Sequence, residues 1–137
     1  MQKLFREVAQ AEVKDNAADV DEQERFPKEN VEILRQAKML GIPYPREYGG
    51  AGADYLSYIL AVEELSKTCA TTGVVLSAHT SLGTWPIAQY GTPEQKEKFL
   101  KPLASGEKLG AFGLTEPNAG TDAAGQQTTA VLDGDAY

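Results

Sequence analysis

The spacing of apolar residues changes near Gly106, and this change limits the folds that the chain can adopt. Before Gly106, apolar residues recur every three or four positions, as they do along the buried side of a helix. After it they form two short runs, at 109–114 and 127–132, which are typical of strands. The sequence therefore predicts a mainly α fold, with a helical domain over residues 1–106 and the first strands of a β domain over residues 107–137.

Residues that start and stop helices divide the first part of the chain into five helices. Thr92 can cap a helix that has Pro93 in its first turn, and Gln95 can reach back to complete a capping box. Glycine and proline mark most of the other ends. The helices are predicted at about 2–23, from Pro27 to Gly41, at 55–68, from about Thr72 to a kink or an end at Pro86, and from Thr92 to near Gly106.

The segment Pro43–Asp54 is predicted to be a loop, because it contains two prolines and three glycines with little periodicity. Its Glu47–Gly52 part resembles a phosphate-binding loop at first sight. However, it follows a helix instead of a strand and lacks the G-x-G-x-x-G spacing. We therefore expect a tight structural loop.

The end of the chain has the pattern of an interrupted hairpin. Asp133-Gly134 is a hairpin turn signal, and the returning strand has barely begun at Tyr137. A hairpin without its partner strand leaves an open sheet edge. We therefore expect the sequence to stop within a β domain.

Charge and composition argue against several classes of function. The chain carries 13 Lys and Arg against 20 Asp and Glu, and glutamates interrupt its densest run of lysines, so no nucleic-acid surface is predicted. No stretch approaches the roughly 20 apolar residues of a membrane span. The lone Cys69 cannot form an internal disulfide, which suits the cytoplasm. Since His79 is the only histidine, we expect no metal site and place His79 in the core or in a pocket wall.

The segment Phe112–Asp122, which reads FGLTEPNAGTD, is the most indicative of chemistry. Pro117 fixes its own backbone torsion and biases Glu116 toward extended geometry, while Gly120 permits a close backbone approach. Such a loop can present backbone N–H groups and two threonine hydroxyls to a flat heterocycle or to a phosphate. On these residues alone, a polar turn between strands is the simpler interpretation.

This segment closely resembles the Phe-Gly-Leu-Thr-Glu-Pro-x-Ala-Gly-Thr/Ser-Asp signature of the acyl-CoA dehydrogenases. Two further stretches resemble the same family in the same order, namely Gly41–Gly52 and Ser81–Gly83 with the residues that follow up to Leu100. One departure is Asn118, which stands where glycine is frequent in the family. The resemblance covers essentially all 137 residues. Overall, the sequence is most similar to the bacterial short-chain (butyryl-type) dehydrogenases of the family.

The resemblance implies a fold of three parts: an amino-terminal helical domain, a middle β domain and a carboxy-terminal helical bundle, with FAD between the last two. It implies that Phe112, Leu114 and Thr115 border the flavin ring. The Thr115 hydroxyl and nearby N–H groups would then bind the pyrimidine edge of the ring. Gly120 and Thr121 would lie nearer to the pyrophosphate.

The resemblance also implies positions for the acyl-CoA substrate. Thr121 would lie near the CoA part, and Ser81 and Leu82 would belong to a helix that lines the acyl pocket. Residues of that helix would pack in the same way if they were only core, so both interpretations stay open.

The implied reaction is α,β-dehydrogenation of an acyl-CoA thioester with FAD as the cofactor. The catalytic base of the family is a glutamate of the carboxy-terminal domain, so no residue of this chain is assigned to catalysis, and a structural role is expected for Glu116. The resemblance further implies an electron-transfer flavoprotein as the partner and a homo-oligomer for the full-length enzyme. We expect the 137-residue chain to be inactive alone.

Two alternatives remain. An acyl-CoA oxidase uses similar motifs and passes electrons to oxygen, and the sequence does not separate it well from a dehydrogenase. A non-enzymatic helical module that binds a partner or CoA without flavin would also agree with the length of the chain.

Overall fold

Five helices occupy most of the chain up to Ala104, as the sequence predicts. The structure is a computed structural model that describes residues 1–137. Helix α1 consists of three consecutive stretches: Gln2–Val8, the π-helical Ala9–Val13, and Lys14–Glu22. Helices α2 and α3 are Lys28–Gln36 and Tyr55–Thr68.

The last two helices also contain π-helical stretches. Helix α4 runs through Ala70–Ser77, the π-helical Ala78–Thr84 and Trp85–Tyr90. Helix α5 runs through Pro93–Gln95, the π-helical Lys96–Leu100 and Lys101–Ala104. Two short 3-10 turns, Arg46–Tyr48 and Ala123–Gly125, lie outside these helices.

The predicted capping box at the start of α5 is confirmed. The Thr92 N–H donates to Oε1 of Gln95 over 2.9 Å, and the Gln95 N–H donates to Oγ1 of Thr92 over 3.3 Å. At the start of α3, the Asp54 carboxylate accepts from the Ser57 N–H over 2.7 Å. Both side chains satisfy N–H groups that the first turn of a helix leaves free.

One predicted helix end is wrong, and at Pro86, where a kink or an end was predicted, the helix does not end. Helix α2 ends at Gln36, before Gly41, because Lys38 adopts a left-handed backbone (φ 54°) that turns the buried Met39 and Leu40 into the core. Pro86 does not end α4, which continues to Tyr90. A π-helical stretch precedes Pro86, and such stretches relax the hydrogen-bond pattern that a proline would otherwise break.

The core lies where α1, α3 and α4 pack together, with α2 against them. A carboxylate is buried at the contact between α1 and α3: Glu64 is 3% exposed and accepts two hydrogen bonds of 2.9 Å from the Arg6 guanidinium. The principal apolar core residues are Phe5, Ala9, Val13, Val20, Leu34, Met39, Leu40, Ile42, Tyr58, Ala61, Leu65, Cys69 and Leu76.

The loop between α2 and α3 is a tight structural loop, as predicted. Its N–H groups at Ala51, Gly52 and Ala53 donate to backbone carbonyls of the same loop region over 2.8–2.9 Å, so they cannot receive a phosphate. A side chain at Gly41 would place its Cβ 2.0 Å from the Ala104 carbonyl oxygen, and glycine there allows the loop to pack on α5.

The segment 107–137, called the tail below, contains no paired strand. The strands predicted at 109–114 and 127–132 do not form, and the two β-bridges, Glu116 with Ala119 and Asp133 with Ala136, close local turns. A strand exists through its pairing, and within this chain neither run finds a partner. The predicted turn at Asp133-Gly134 is present, with Gly134 at φ 65°.

Candidate functional site

The Phe112–Asp122 loop leaves the helical part of the molecule and presents most of its side chains to solvent. Phe112 is 51% and Leu114 is 41% exposed, and Thr115, Gly120 and Thr121 are also exposed. The buried residue of the loop is Ala119. All five residues predicted to contact the cofactor therefore lie on one accessible segment.

The first part of this loop offers free donors beside its apolar side chains. The backbone N–H groups of residues 111–115 make no hydrogen bond within the chain, and neither does the Thr115 hydroxyl. At Gly113 and Gly120, an added Cβ would meet no atom within 4 Å, so the backbone is open to close approach. This combination fits a flat aromatic ligand with a polar edge, as the isoalloxazine ring of FAD is.

Glu116 holds the loop in shape. Its carboxylate accepts from the Gln127 N–H over 2.7 Å and from the Thr128 N–H over 3.0 Å. The Gln126 side-chain amide donates to the Leu114 carbonyl. These hydrogen bonds hold the pKa of Glu116 below its ordinary value, since they stabilise the ionised carboxylate. The structural role predicted for Glu116 agrees with these contacts, whereas its partners could not be identified from the sequence.

The residues predicted to line the acyl pocket lie on the π-helical stretch of α4. Leu82 is 47% exposed, and the Ser81 hydroxyl donates to the Ser77 carbonyl over 2.7 Å within the helix. The same stretch reaches the beginning of the tail, because a Cβ on Gly83 would lie 2.8 Å from the Gly110 carbonyl carbon. Ser81 and Leu82 therefore lie in the same helical stretch as Gly83, which contacts Gly110 just before the candidate loop.

His79 is fully buried in this region and is not a surface base. Its Nδ1 accepts a hydrogen bond of 2.9 Å from the Gly110 N–H. Burial lowers the pKa of His79, because a buried imidazolium is poorly solvated. The expectation of a core or pocket-wall histidine is met, but no sequence pattern indicates its contact with Gly110, which lies 31 residues away.

Two further observations concern other classes of site. No group of three or more His, Cys, Asp and Glu side chains is arranged to hold a metal ion. None of the helices combines the length and the apolar character needed to cross a membrane.

Known relatives of the chain share its fold over most of its length. The acyl-CoA dehydrogenase N-terminal domain matches residues 1–107. The short-chain specific acyl-CoA dehydrogenase of Clostridium acetobutylicum is 64% identical over the whole chain, which spans 36% of that relative.

Among solved structures, butyryl-CoA dehydrogenase of Megasphaera elsdenii matches 93% of the chain at a TM-score of 0.85 with 48% identity, over 35% of its own length. A structure described for the electron transferring flavoprotein of Acidaminococcus fermentans matches 98% of the chain at a TM-score of 0.93 with 49% identity, over 35% of its own length. An acyl-CoA dehydrogenase of Bacillus anthracis in complex with FAD matches 91% at a TM-score of 0.81 with 36% identity, over 21% of its own length.

The chain thus spans about a third of the length of the dehydrogenases of Clostridium acetobutylicum and Megasphaera elsdenii. The helical bundle, the candidate loop and these similarities agree with one another, and the chain belongs to the acyl-CoA dehydrogenase family.

Proposed function

We propose that residues 1–106 form the amino-terminal domain, and residues 107–137 the start of the middle domain, of an FAD-dependent dehydrogenase of short-chain acyl-CoA thioesters. The observation that carries this proposal is the open edge at Phe112–Thr115, where apolar side chains flank unused backbone donors and a free hydroxyl. Glu116 fixes the loop behind that edge through two backbone N–H groups.

In this proposal the loop binds and orients the flavin. Phe112 and Leu114 flank the ring, and the Thr115 hydroxyl with the neighbouring N–H groups binds its polar edge. Gly120 and Thr121 lie toward the pyrophosphate, where the absence of a side chain at Gly120 leaves room for it. A bound FAD would supply the acceptor for the β-hydrogen of the substrate as hydride, while the protein supplies position and polarity.

The same proposal assigns substrate contacts to Thr121, Ser81 and Leu82. The exposed Leu82 contributes apolar surface for a short acyl chain. Ser81 already donates its proton to the Ser77 carbonyl, so its oxygen remains available only as an acceptor. Thr121 binds the CoA part through its free hydroxyl.

We assign the removal of the α-proton to a carboxylate outside residues 1–137. Glu116, a carboxylate of the loop itself, does not suit this role. Glu116 is occupied by two N–H groups that favour its ionised form, and a lowered pKa makes it a weaker base.

We further propose that the complete enzyme is a cytoplasmic homo-oligomer that passes its electrons to an electron-transfer flavoprotein. The similarity to a structure described for such a flavoprotein supports this choice of acceptor over oxygen. An oxidase would differ in the acceptor alone, and a helical module without flavin would not need the open loop.

The test uses the full-length protein purified with its natural flavin. Under anaerobic conditions, butyryl-CoA should bleach the flavin absorbance, and a long-chain acyl-CoA should do so more slowly. Turnover should then require an electron-transfer flavoprotein. Rapid turnover with oxygen alone would identify an oxidase, and a protein purified without flavin that also fails to bind added FAD would overturn the proposal.

A further inference from the structure

Two residues on the same side of α4, one helical turn apart, meet the backbone of Gly110. His79 accepts the Gly110 N–H at its Nδ1, and Gly83 approaches so closely that a Cβ on it would lie 2.8–2.9 Å from Gly110 backbone atoms. His79 contributes a hydrogen bond, and Gly83, because it has no side chain, leaves room for the Gly110 backbone. Gly110 is therefore fixed on α4 by two independent contacts.

The hydrogen bond defines the tautomer of His79. Because Nδ1 accepts, the ring proton resides on Nε2. The Nε2 atom is buried and has no hydrogen-bond partner within the chain. A protonated Nδ1 would face the Gly110 N–H donor to donor, so the contact needs the neutral imidazole that burial favours.

Gly110 is also the last residue of the tail that makes a hydrogen bond to the helical part. Lys108 donates to the Pro102 carbonyl over 2.9 Å, and Gly110 donates to His79. Every hydrogen bond beyond Gly110 joins two residues of the tail. The direction in which the Phe112–Thr115 edge leaves the bundle is thus set at Gly110, two residues before Phe112.

We propose that His79 is a positioning residue for the flavin, which acts through the Gly110 backbone to hold the Phe112–Thr115 edge in place. This inference rests on the proposed function, in which that edge binds the ring. His79 itself touches neither flavin nor substrate in this proposal. An imidazole suits the position because the Gly110 N–H needs an acceptor, and the Nδ1 atom of a histidine lies close to the histidine backbone.

The test compares three variants of the full-length flavoenzyme. His79→Asn retains an acceptor, Oδ1, close to the position of Nδ1, whereas His79→Leu fills similar space without an acceptor. Gly83→Ala leaves His79 intact but pushes the Gly110 backbone away from α4. For each variant we would measure FAD dissociation, the flavin absorption spectrum and midpoint potential, and amide exchange of the peptide that contains Gly110.

We expect His79→Leu and Gly83→Ala to weaken FAD binding about tenfold, as loss of a buried hydrogen bond would. Both should alter the flavin spectrum and speed exchange at Gly110, and His79→Asn should remain close to wild type in all three. If His79→Leu does not fold, the contrast between His79→Asn and Gly83→Ala decides.

Unchanged flavin properties in His79→Leu or, where that variant is unfolded, in Gly83→Ala would overturn the inference. So would equal damage from His79→Asn and His79→Leu, which would mean that packing and not the acceptor matters. Failure of the proposed function is distinguished from failure of this inference by the wild-type protein, whose flavin would then not be bleached by butyryl-CoA.

Discussion

At the scale of single residues, the proposed function depends most on Thr115. It combines exposure, a hydroxyl without a partner in the chain, and neighbouring N–H groups that are equally free. The Ser81 hydroxyl, by contrast, is already engaged with the Ser77 carbonyl. In the proposed function the free Thr115 hydroxyl binds the ligand.

We predict that Thr115→Ala in the full-length enzyme shifts the flavin absorption spectrum or its midpoint potential. The substitution removes one hydrogen bond to the ring, worth about 0.5–1.5 kcal/mol. Thr115→Ser should restore wild-type values, and Thr129→Ala, another exposed threonine of the tail, serves as the control. If neither the spectrum nor the potential moves, Thr115 has no contact with the flavin.

A second prediction at this scale concerns Glu116→Gln in the 137-residue chain. The amide has one acceptor oxygen where the carboxylate has two, and its NH₂ group would face a backbone N–H. Amide exchange at Gln127 and Thr128 should therefore become faster. Asp135→Asn, which changes a tail carboxylate without hydrogen bonds, should leave both rates unchanged.

The hydrogen bonds of Glu116 should also depend on pH. Its pKa in the folded chain is lowered from 4.5, so the loop is held fully above about pH 4.5 and is released as the pH falls through the lowered value. Protection of the Gln127 and Thr128 amides that persists unchanged into strong acid would contradict this assignment.

At the scale of the elements, the sequence predicted the features that depend on neighbouring residues and missed those that depend on residues distant in sequence. The bounds of α3 and the capping box of α5 follow from residues within a few positions of each other, and both are present as predicted. The end of α2 was misplaced because the buried positions of Met39 and Leu40 are set by helices distant in sequence. The contact of His79 with Gly110 is of the same long-range kind.

The candidate loop illustrates the same division. A rigid proline, a glycine and two threonines predicted an accessible loop, and the residues proposed to contact the flavin are exposed. The sequence could not indicate that Glu116 would reach Gln127 and Thr128, since that pairing depends on how the tail folds back over eleven residues. The strands predicted on either side need partners that this chain does not contain.

A prediction for the helices concerns the ion pair between α1 and α3. Hydrogen bonds from Arg6, and then from Lys67 and Gln2, lower the pKa of Glu64 to about 2. The lowered pKa stabilises the folded chain at pH values above about 4.5, and this stabilisation is lost as the pH falls toward about 2. The midpoint of thermal unfolding should fall across that window.

Glu64→Gln should lower the unfolding midpoint at pH 7 and flatten its dependence on acid pH. Glu63→Gln is the matched control, because Glu63 is half-exposed and pairs with Lys67 at the surface over 2.7 Å. An acid transition of equal size in Glu64→Gln and in the wild type would assign the effect to other carboxylates.

At the scale of the whole molecule, the tail carries much exposed apolar surface. Phe112 and Leu114 are exposed beside the loop, and Val131, Leu132 and Tyr137 are 60–85% exposed near its end. Exposed apolar groups on an extended, unpaired backbone favour association with other chains. The tail should therefore be the part of the chain that associates most readily with other chains.

The final prediction is that the 137-residue chain, produced alone, neither retains FAD nor oxidises acyl-CoA. In the proposed function, this chain contributes one loop to the FAD site, and the base that takes the α-proton lies outside residues 1–137. Catalysis also requires the thioester, the base and the flavin to be held together, which accounts for much of the reduction in the barrier. Partial binding of FAD would therefore not restore turnover.

The measurement adds FAD, butyryl-CoA and an artificial electron acceptor to the purified chain and compares acceptor reduction with a control without protein. Size-exclusion chromatography at several concentrations would reveal association through the tail. No reduction above the control is expected at any concentration. Saturable reduction that disappears when a carboxylate within residues 1–137 is replaced would place the base in this chain. The assignment of the base to a carboxylate outside residues 1–137 would then be wrong.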